Sequence, residues 1–108
     1  MHLYGLKTCD TCRKAIKALE SADHTVRFQD IRAEPLERET LAAFHAAFGA
    51  ALLNTRSTTW RGLSEAERGR DPLDLIEEHP ALMKRPVIRD DAGALHLGWG
   101  RPVQAKLV

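Results

Sequence analysis

Apolar and polar positions in the first third of the chain predict a strand, a helix and a second strand. The apolar segment 3–6 is long enough for a strand, and after it apolar groups recur at the spacing of one helix face. They are Cys12, Ala15, Ile16, Leu19 and Ala22. Residues 26–31 begin with apolar and polar residues in alternation, which is typical of a strand with one buried face. This order predicts a βαβ unit with two parallel strands.

The middle of the chain, residues 35–80, has the pattern of helices joined by loops. Pro35 suits the first position of a helix, and Gly49 suits its end. The β-branched and hydroxyl residues of 51–60 favour a loop. A capping box and an aspartate before a proline indicate two further helix starts, namely Ser64 with Glu67 and Asp71 with Pro72.

The last quarter returns to the pattern of strands. Segments 86–89 and 94–99 flank four turn-forming residues at 90–93, which predicts an antiparallel hairpin. A final short helix is predicted over 101–107. The complete order is β-α-β, a helical segment, and then β-β-α.

Length and composition are those of one globular domain over residues 1–108, with a helical insertion at about 35–80. The formal charge is +1 and no block of like charge stands out, which argues against a direct nucleic-acid partner. No apolar run is long enough to span a bilayer and no leader segment is recognised, so we expect no membrane contact. The default location is the cytoplasm, where reducing conditions disfavour a structural disulfide.

The candidate chemistry lies in Cys9 and Cys12, the two cysteines of the chain, at the turn from the first strand to the first helix. A helix N-terminus favours an anion, and nearby cations lower a cysteine pKa further from its ordinary value of about 8.5. Thr8 or Asp10 can serve as the N-cap. Cys9 is therefore the predicted nucleophile, and Cys12, one helical turn on, can resolve a mixed disulfide formed at Cys9.

The cations close to this motif in sequence are Lys7, Arg13 and Lys14. Two buried structural thiols, or half of a zinc site, are the alternatives for the cysteine pair. Zinc usually takes four ligands, and the chain has no second cysteine pair and five histidines without ligand spacing. We therefore predict no metal site and favour thiol chemistry.

Three segments in order, 3–15, 52–61 and 84–88, resemble the ArsC/Spx/YffB family of arsenate reductases and their relatives. The resemblance implies an α/β thioredoxin-like fold with a mixed four-stranded sheet. It also implies a nucleophilic Cys9, a substrate-facing Arg85 and a cis peptide bond at Pro86. X–Pro bonds adopt the cis form far more readily than other peptide bonds, and a cis bond here can bring Arg85 beside the thiol turn.

The resemblance also implies roles for further arginines, and it departs from the arsenate reductases at one position. Arg101 matches the arginine that those enzymes use on the oxyanion, and Arg13 lies in the first turn after the nucleophile. Where they carry an arginine after the Leu-Leu pair, this chain has Asn54, with Arg56 two residues later. The candidate anion-binding residues are therefore Arg13, Arg56, Arg85 and Arg101.

Each branch of the family implies a different function. The run 52–61 is similar to the YffB branch, which implies a glutathione-dependent thiol reductase with no bound cofactor. Its substrate would be a disulfide or small oxyanion, and its thiol donor glutathione, a glutaredoxin or a thioredoxin. The alternatives are an arsenate reductase that forms a Cys9-arsenate adduct, and a redox-sensing regulator similar to Spx. That regulator would switch by a disulfide with Cys12 and bind the α subunit of RNA polymerase.

Overall fold

The computed structural model describes residues 1–108, which form two compact units. The sheet unit comprises residues 1–34 and 85–108, and the helical unit comprises residues 35–84. The elements in chain order are β1 His2–Gly5, α1 Asp10–Ser21, β2 Arg27–Asp30, α2 Arg38–Phe48, α3 Thr58–Arg61, α4 Glu65–Arg68, α5 Pro72–Glu78, β3 Val87–Arg89, β4 Leu95–Leu97 and α6 Arg101–Leu107. Short 3-10 helices lie at Gly49–Leu52 and Pro80–Leu82.

The sheet unit contains one mixed sheet with the strand order β2-β1-β3-β4. Strands β1 and β2 are parallel, with Leu3 opposite Phe28, while β3 is antiparallel to both β1 and β4. The predicted βαβ unit and the predicted hairpin are therefore both confirmed. This four-stranded mixed sheet also confirms the α/β thioredoxin-like fold class.

The core of the sheet unit joins one face of the sheet to the apolar faces of α1 and α6. Leu3 and Ile88, partners in the register of β1 and β3, are fully buried. They meet the side chains of Cys12, Ala15 and Leu19 from α1 and Leu107 from α6. Burying each large aliphatic side chain contributes roughly 1.5–3 kcal/mol, so α1 is fixed on the sheet mainly by this contact.

The helical unit is stabilised by its own buried side chains and by caps that the sequence predicts. Gly49 ends α2 with a φ of 57°, a backbone conformation that favours glycine. The capping box of Ser64 and Glu67 at α4 and the Asp71 cap before Pro72 at α5 are confirmed. The largest fully buried side chains of this unit are Leu41, Phe44, Leu52, Leu75, Leu82 and Met83.

Two boundary predictions in the helical unit are wrong. Helix α2 begins at Arg38 rather than Pro35, with Glu37 extended as its N-cap. The preceding residues are still held in the turn after β2, because the Glu34 N–H donates to the Asp30 carbonyl at 2.7 Å. The predicted loop 51–60 contains the start of α3, whose N-cap Ser57 accepts from the Trp60 N–H.

The longest helix, α1, has 12 residues. A helix needs about 20 residues to cross the hydrocarbon core of a bilayer. No helix of the chain is long and apolar enough to do so.

Candidate active site

The candidate site begins at the turn between β1 and α1. The Cys9 N–H donates to the Leu6 carbonyl at 3.0 Å, and the Cys9 carbonyl accepts from the Arg13 N–H at 3.1 Å. Cys9 itself is the N-cap of α1, in extended conformation with φ −89° and ψ 117°. The prediction of Thr8 or Asp10 as N-cap is therefore wrong. The N-cap position favours a charged Cys9 sulfur, because the sulfur lies at the start of the helix, where backbone N–H groups have no intrahelical acceptor.

A carboxylate at the end of β2 fixes this turn from the neighbouring strand. Asp30 accepts the Lys7 N–H at 3.1 Å on one oxygen and the N–H groups of Arg32 and Ala33 on the other. The hydrogen bond from Lys7 contributes most to holding the pKa of Asp30 below its ordinary value. Asp30 thus ties the turn before Cys9 to β2. Asp30 was not among the predicted site residues, although an aspartate at the end of a predicted strand is a usable signal.

The environment of Cys9 favours its thiolate. Cys9 is half-buried, and desolvation alone would raise its pKa. The Cys12 backbone N–H, the Arg85 guanidinium and the Cys12 thiol all stabilise the charged sulfur and outweigh desolvation. The pKa of Cys9 therefore lies below that of an ordinary cysteine. Because the thiolate is the nucleophilic form, Cys9 is set up to attack an electrophilic centre.

Cys12 has the opposite character. Its side chain is fully buried in the core under α1. Burial raises the pKa of Cys12 to about 12, and the charge of Cys9 also raises it. A hydrogen bond from the Leu6 backbone N–H lowers the pKa but does not outweigh burial. Cys12 therefore keeps its proton at neutral pH and offers it to the Cys9 sulfur. Both cysteines are free thiols in this structure.

Arg85 reaches the thiol from the start of β3. The Arg85–Pro86 peptide bond is cis, as expected, and it is followed directly by Val87, the first residue of β3. The Pro86 carbonyl accepts the Gly98 N–H at 2.7 Å, where Gly98 has a φ of 78°. This contact links the segment that carries Arg85 to the end of β4. The Arg85 guanidinium then donates a hydrogen bond to the Cys9 sulfur.

Of the four candidate arginines, the structure brings Arg85 to Cys9. Arg13 lies in the first turn of α1 as expected, but it is exposed and forms an ion pair with Asp10. The cations expected from their nearness in sequence were Lys7, Arg13 and Lys14, whereas the cation that hydrogen-bonds to the Cys9 sulfur is Arg85. Arg101 is exposed at the first position of α6. Arg56 is exposed in the helical unit, where its backbone N–H donates to the Asn54 side chain at 3.2 Å.

Gly5 is a further residue of the site that was not among the predicted site residues. It is buried at the end of β1, and a Cβ built on it would lie less than 3.0 Å from the Cys12 sulfur. A single glycine inside a predicted strand was a usable signal, because such a glycine often marks a close approach. No three His, Cys, Asp or Glu side chains lie together as a metal ion would require.

The fold and the site define a class of protein. A cysteine at the N-terminus of the first helix, with its pKa lowered in part by an arginine beside a cis proline, on a thioredoxin-like sheet, is the arrangement of a thiol oxidoreductase family. The family model for ArsC matches residues 4–102. The chain belongs to the ArsC family.

The relatives of known sequence include an uncharacterized protein and a transcriptional regulator. An uncharacterized protein of Haemophilus influenzae is 40% identical over 100 residues, covering 86% of each chain. The global transcriptional regulator Spx of Bacillus subtilis is 33% identical over 82% of this chain and 72% of its own length.

Among solved structures, the YFFB protein has a TM-score of 0.86 at 31% identity, covering 98% of this chain and 96% of its own. An arsenate reductase (ArsC) related protein from Brucella melitensis has a TM-score of 0.74 at 35% identity, covering 97% of this chain and 90% of its own. Similarity to the YFFB protein therefore extends over nearly the whole of both chains.

Proposed function

We propose that this protein is a thiol–disulfide reductase that uses the Cys9 thiolate and takes glutathione as its thiol co-substrate. The observation that carries the proposal is the Cys9 sulfur at the start of α1, with the Arg85 guanidinium and the Cys12 N–H as donors. Such a sulfur is a good nucleophile at neutral pH and a good leaving group when a second thiol attacks it. The similarity to the YFFB protein over both chains supports the same branch.

The reaction has two exchange steps. The Cys9 thiolate attacks the glutathione sulfur of a mixed disulfide, which forms a Cys9–glutathione disulfide and releases the substrate sulfur as a thiolate. A second glutathione thiolate then attacks the glutathione sulfur of that adduct. This step releases oxidised glutathione and regenerates the Cys9 thiolate, so one glutathione thiol is oxidised for each substrate sulfur that is reduced.

The state of Cys12 supports an external thiol for the second step. Thiol–disulfide exchange needs a thiolate as the attacking group, and burial keeps the pKa of Cys12 at about 12. Burial, the largest cause of that raised pKa, persists when Cys9 is in the adduct, so Cys12 stays almost entirely protonated at neutral pH. We therefore assign the second step to glutathione, with a glutaredoxin or a thioredoxin as the other possible donors, as available in the cytoplasm.

Arsenate reduction is the second candidate function, and the relative from Brucella melitensis favours it. In that reaction the Cys9 sulfur would bond to arsenic with loss of water. A thiol would then attack the Cys9 sulfur, so that the S–As electron pair stays on arsenic and arsenite leaves, and a second thiol would resolve the resulting Cys9 mixed disulfide. The substrate is a small oxyanion, and arginine binds oxyanions through its planar fork. The chain supplies Arg85 at the sulfur, with Arg13, Arg56 and Arg101 as further candidates. Asn54, where arsenate reductases carry an arginine, argues for the disulfide substrate.

A regulator similar to Spx is the third candidate, supported by relatives named for that function. It would bind the α subunit of RNA polymerase and respond to a disulfide between Cys9 and Cys12. The protonated, buried state of Cys12 slows formation of that disulfide, so we rank this function third.

The deciding experiment is steady-state turnover by the purified protein. A glutathionylated peptide and arsenate are each supplied with glutathione plus glutathione reductase, or with thioredoxin plus thioredoxin reductase. We expect turnover of the peptide with glutathione and its loss in Cys9→Ser. Turnover of arsenate alone would replace the proposal with the second candidate. Absence of turnover in all four reactions, with binding to the RNA polymerase α subunit, would support the third.

A further inference from the structure

The end of strand β1 lies close against the second cysteine of the site. Gly5 is the last residue of β1, and the nearest atom to its missing side chain is the sulfur of Cys12. A methyl group there would lie less than 3.0 Å from that sulfur, a separation that Cβ atoms do not show in proteins. The other two neighbours, the Cβ of Cys12 and the side chain of Leu3, would be at 3.4 and 3.6 Å, which is ordinary contact. The Cys12 sulfur is therefore the one neighbour that excludes a side chain at position 5.

We propose that Gly5 is a positioning residue for the nucleophile, which acts through Cys12. By leaving room at the end of β1, Gly5 allows the Cys12 sulfur to lie against the strand, from where its thiol donates a hydrogen bond to the Cys9 sulfur. The neutral Cys12 thiol then remains a hydrogen-bond donor to the Cys9 sulfur at neutral pH. This inference rests on the proposed function only in naming Cys9 as the nucleophile.

Three observations support the step from Gly5 to Cys9. The Leu6 backbone N–H, next to Gly5, donates to the Cys12 sulfur, so the sulfur is held from the same strand end. Cys12 is fully buried, which leaves no water to replace Cys9 as the acceptor of its proton. The Cys12 thiol is one of the donors that stabilise the charged Cys9 sulfur. A methyl group at position 5 would displace the Cys12 sulfur from the end of β1 and weaken the hydrogen bond from the Cys12 thiol to the Cys9 sulfur.

The experiment measures the Cys9 pKa from the rate of alkylation by iodoacetamide against pH, with the modified sulfur located by mass spectrometry. The variants are Gly5→Ala, Cys12→Ala, Cys12→Ser and the double variant Gly5→Ala/Cys12→Ala. Gly69→Ala is the control for a glycine substitution, since its nearest neighbours would be backbone oxygens at 3.6 and 3.8 Å. A melting temperature is recorded for each variant.

We expect Gly5→Ala and Cys12→Ala each to raise the Cys9 pKa by about one unit, which is tenfold less thiolate at a pH below both values. Cys12→Ser should restore most of the shift, because a hydroxyl group also donates. In the double variant, Gly5→Ala should add nothing to Cys12→Ala, since the sulfur that it displaces is absent. Gly69→Ala should leave the Cys9 pKa at the wild-type value.

Two results would overturn the inference. One is equal Cys9 pKa values in Cys12→Ser and Cys12→Ala; the other is a full additional shift from Gly5→Ala in the Cys12→Ala background. If Gly5→Ala alone does not fold, a double variant that melts at the temperature of Cys12→Ala supports the contact, and a double variant that does not fold refutes it. None of these measurements uses a disulfide or arsenate substrate. Absence of turnover with normal pKa shifts would therefore refute the proposed function alone.

Discussion

Replacing Arg85 with alanine should raise the Cys9 pKa and slow the first chemical step. The Arg85 guanidinium donates a hydrogen bond to the Cys9 sulfur and also acts on it through its charge. A hydrogen bond to a charged group contributes about 1.5–3 kcal/mol. Because Cys9 is half-buried and partly screened by water, the lower end applies. About 1.5 kcal/mol corresponds to a rise of about one pKa unit.

The assay is the alkylation rate against pH, measured together with turnover of the glutathionylated peptide. Well above the Cys9 midpoint every variant is fully ionised, so a remaining loss of turnover reports contact between Arg85 and the substrate. We expect a remaining loss of up to about a hundredfold, as for removal of one donor to a developing charge. Arg85→Lys should keep much of the pKa effect, because it keeps the charge, but lose the planar fork.

Arg13→Ala is the matched control. It removes the same charge from the helix that carries Cys9, at a site where the guanidinium is 61% exposed and paired with Asp10. We expect it to move the Cys9 pKa by less than about 0.3 units. Equal shifts in Arg13→Ala and Arg85→Ala would refute the assignment of Arg85, as would an unchanged Cys9 pKa in Arg85→Ala.

Three further predictions concern stability. The pKa of the Cys12 thiol is about 12 in the folded protein and about 9 in the unfolded chain. The contribution of the neutral thiol to the free energy of unfolding is therefore complete below about pH 9 and is lost as pH rises toward about 12. Urea unfolding should show up to about 1.4 kcal/mol lost per pH unit in that range relative to Cys12→Ala. Ser64→Ala removes one half of a capping box and should cost about 1 kcal/mol in thermal unfolding; an unchanged stability would contradict the cap. Leu19→Ala, fully buried, should cost about 2–5 kcal/mol, whereas exposed Lys17→Ala should change stability by no more than about 0.5 kcal/mol.

Elements with regular periodicity or a specific cap could be predicted from sequence. The stripe through Cys12, Ala15 and Leu19 is buried as its spacing indicates, and Gly49 ends its helix. The start of α2 could not be predicted, because Pro35 satisfies the local rule for a helix start while a tertiary turn at Asp30 occupies the preceding residues. Helix α3 could not be predicted for a different reason, because its four residues are too few to show a helical periodicity.

The site was predictable in its chemistry and less so in its contacts. The lowered pKa of Cys9 follows in part from its place at the start of a helix, which local sequence reveals. The cation that acts on it is 76 positions away, at Arg85, and only the pairing of β1 with β3 brings the two segments together. Sequence neighbours such as Arg13 are misleading here, because a residue in the first turn of a helix can point to solvent and pair with Asp10.

The reductase and regulator functions make opposite demands on Cys12. A disulfide switch needs Cys12 to become a thiolate and attack the Cys9 sulfur soon after Cys9 is oxidised. A reductase that uses an external thiol needs Cys12 to stay protonated while the adduct at Cys9 waits for its second thiol. Burial in the core under α1 satisfies the second demand and slows the first. A Cys-x-x-Cys motif therefore does not by itself indicate a disulfide switch. The deciding property is the pKa of the second cysteine, which in this chain is set by its burial against the end of β1.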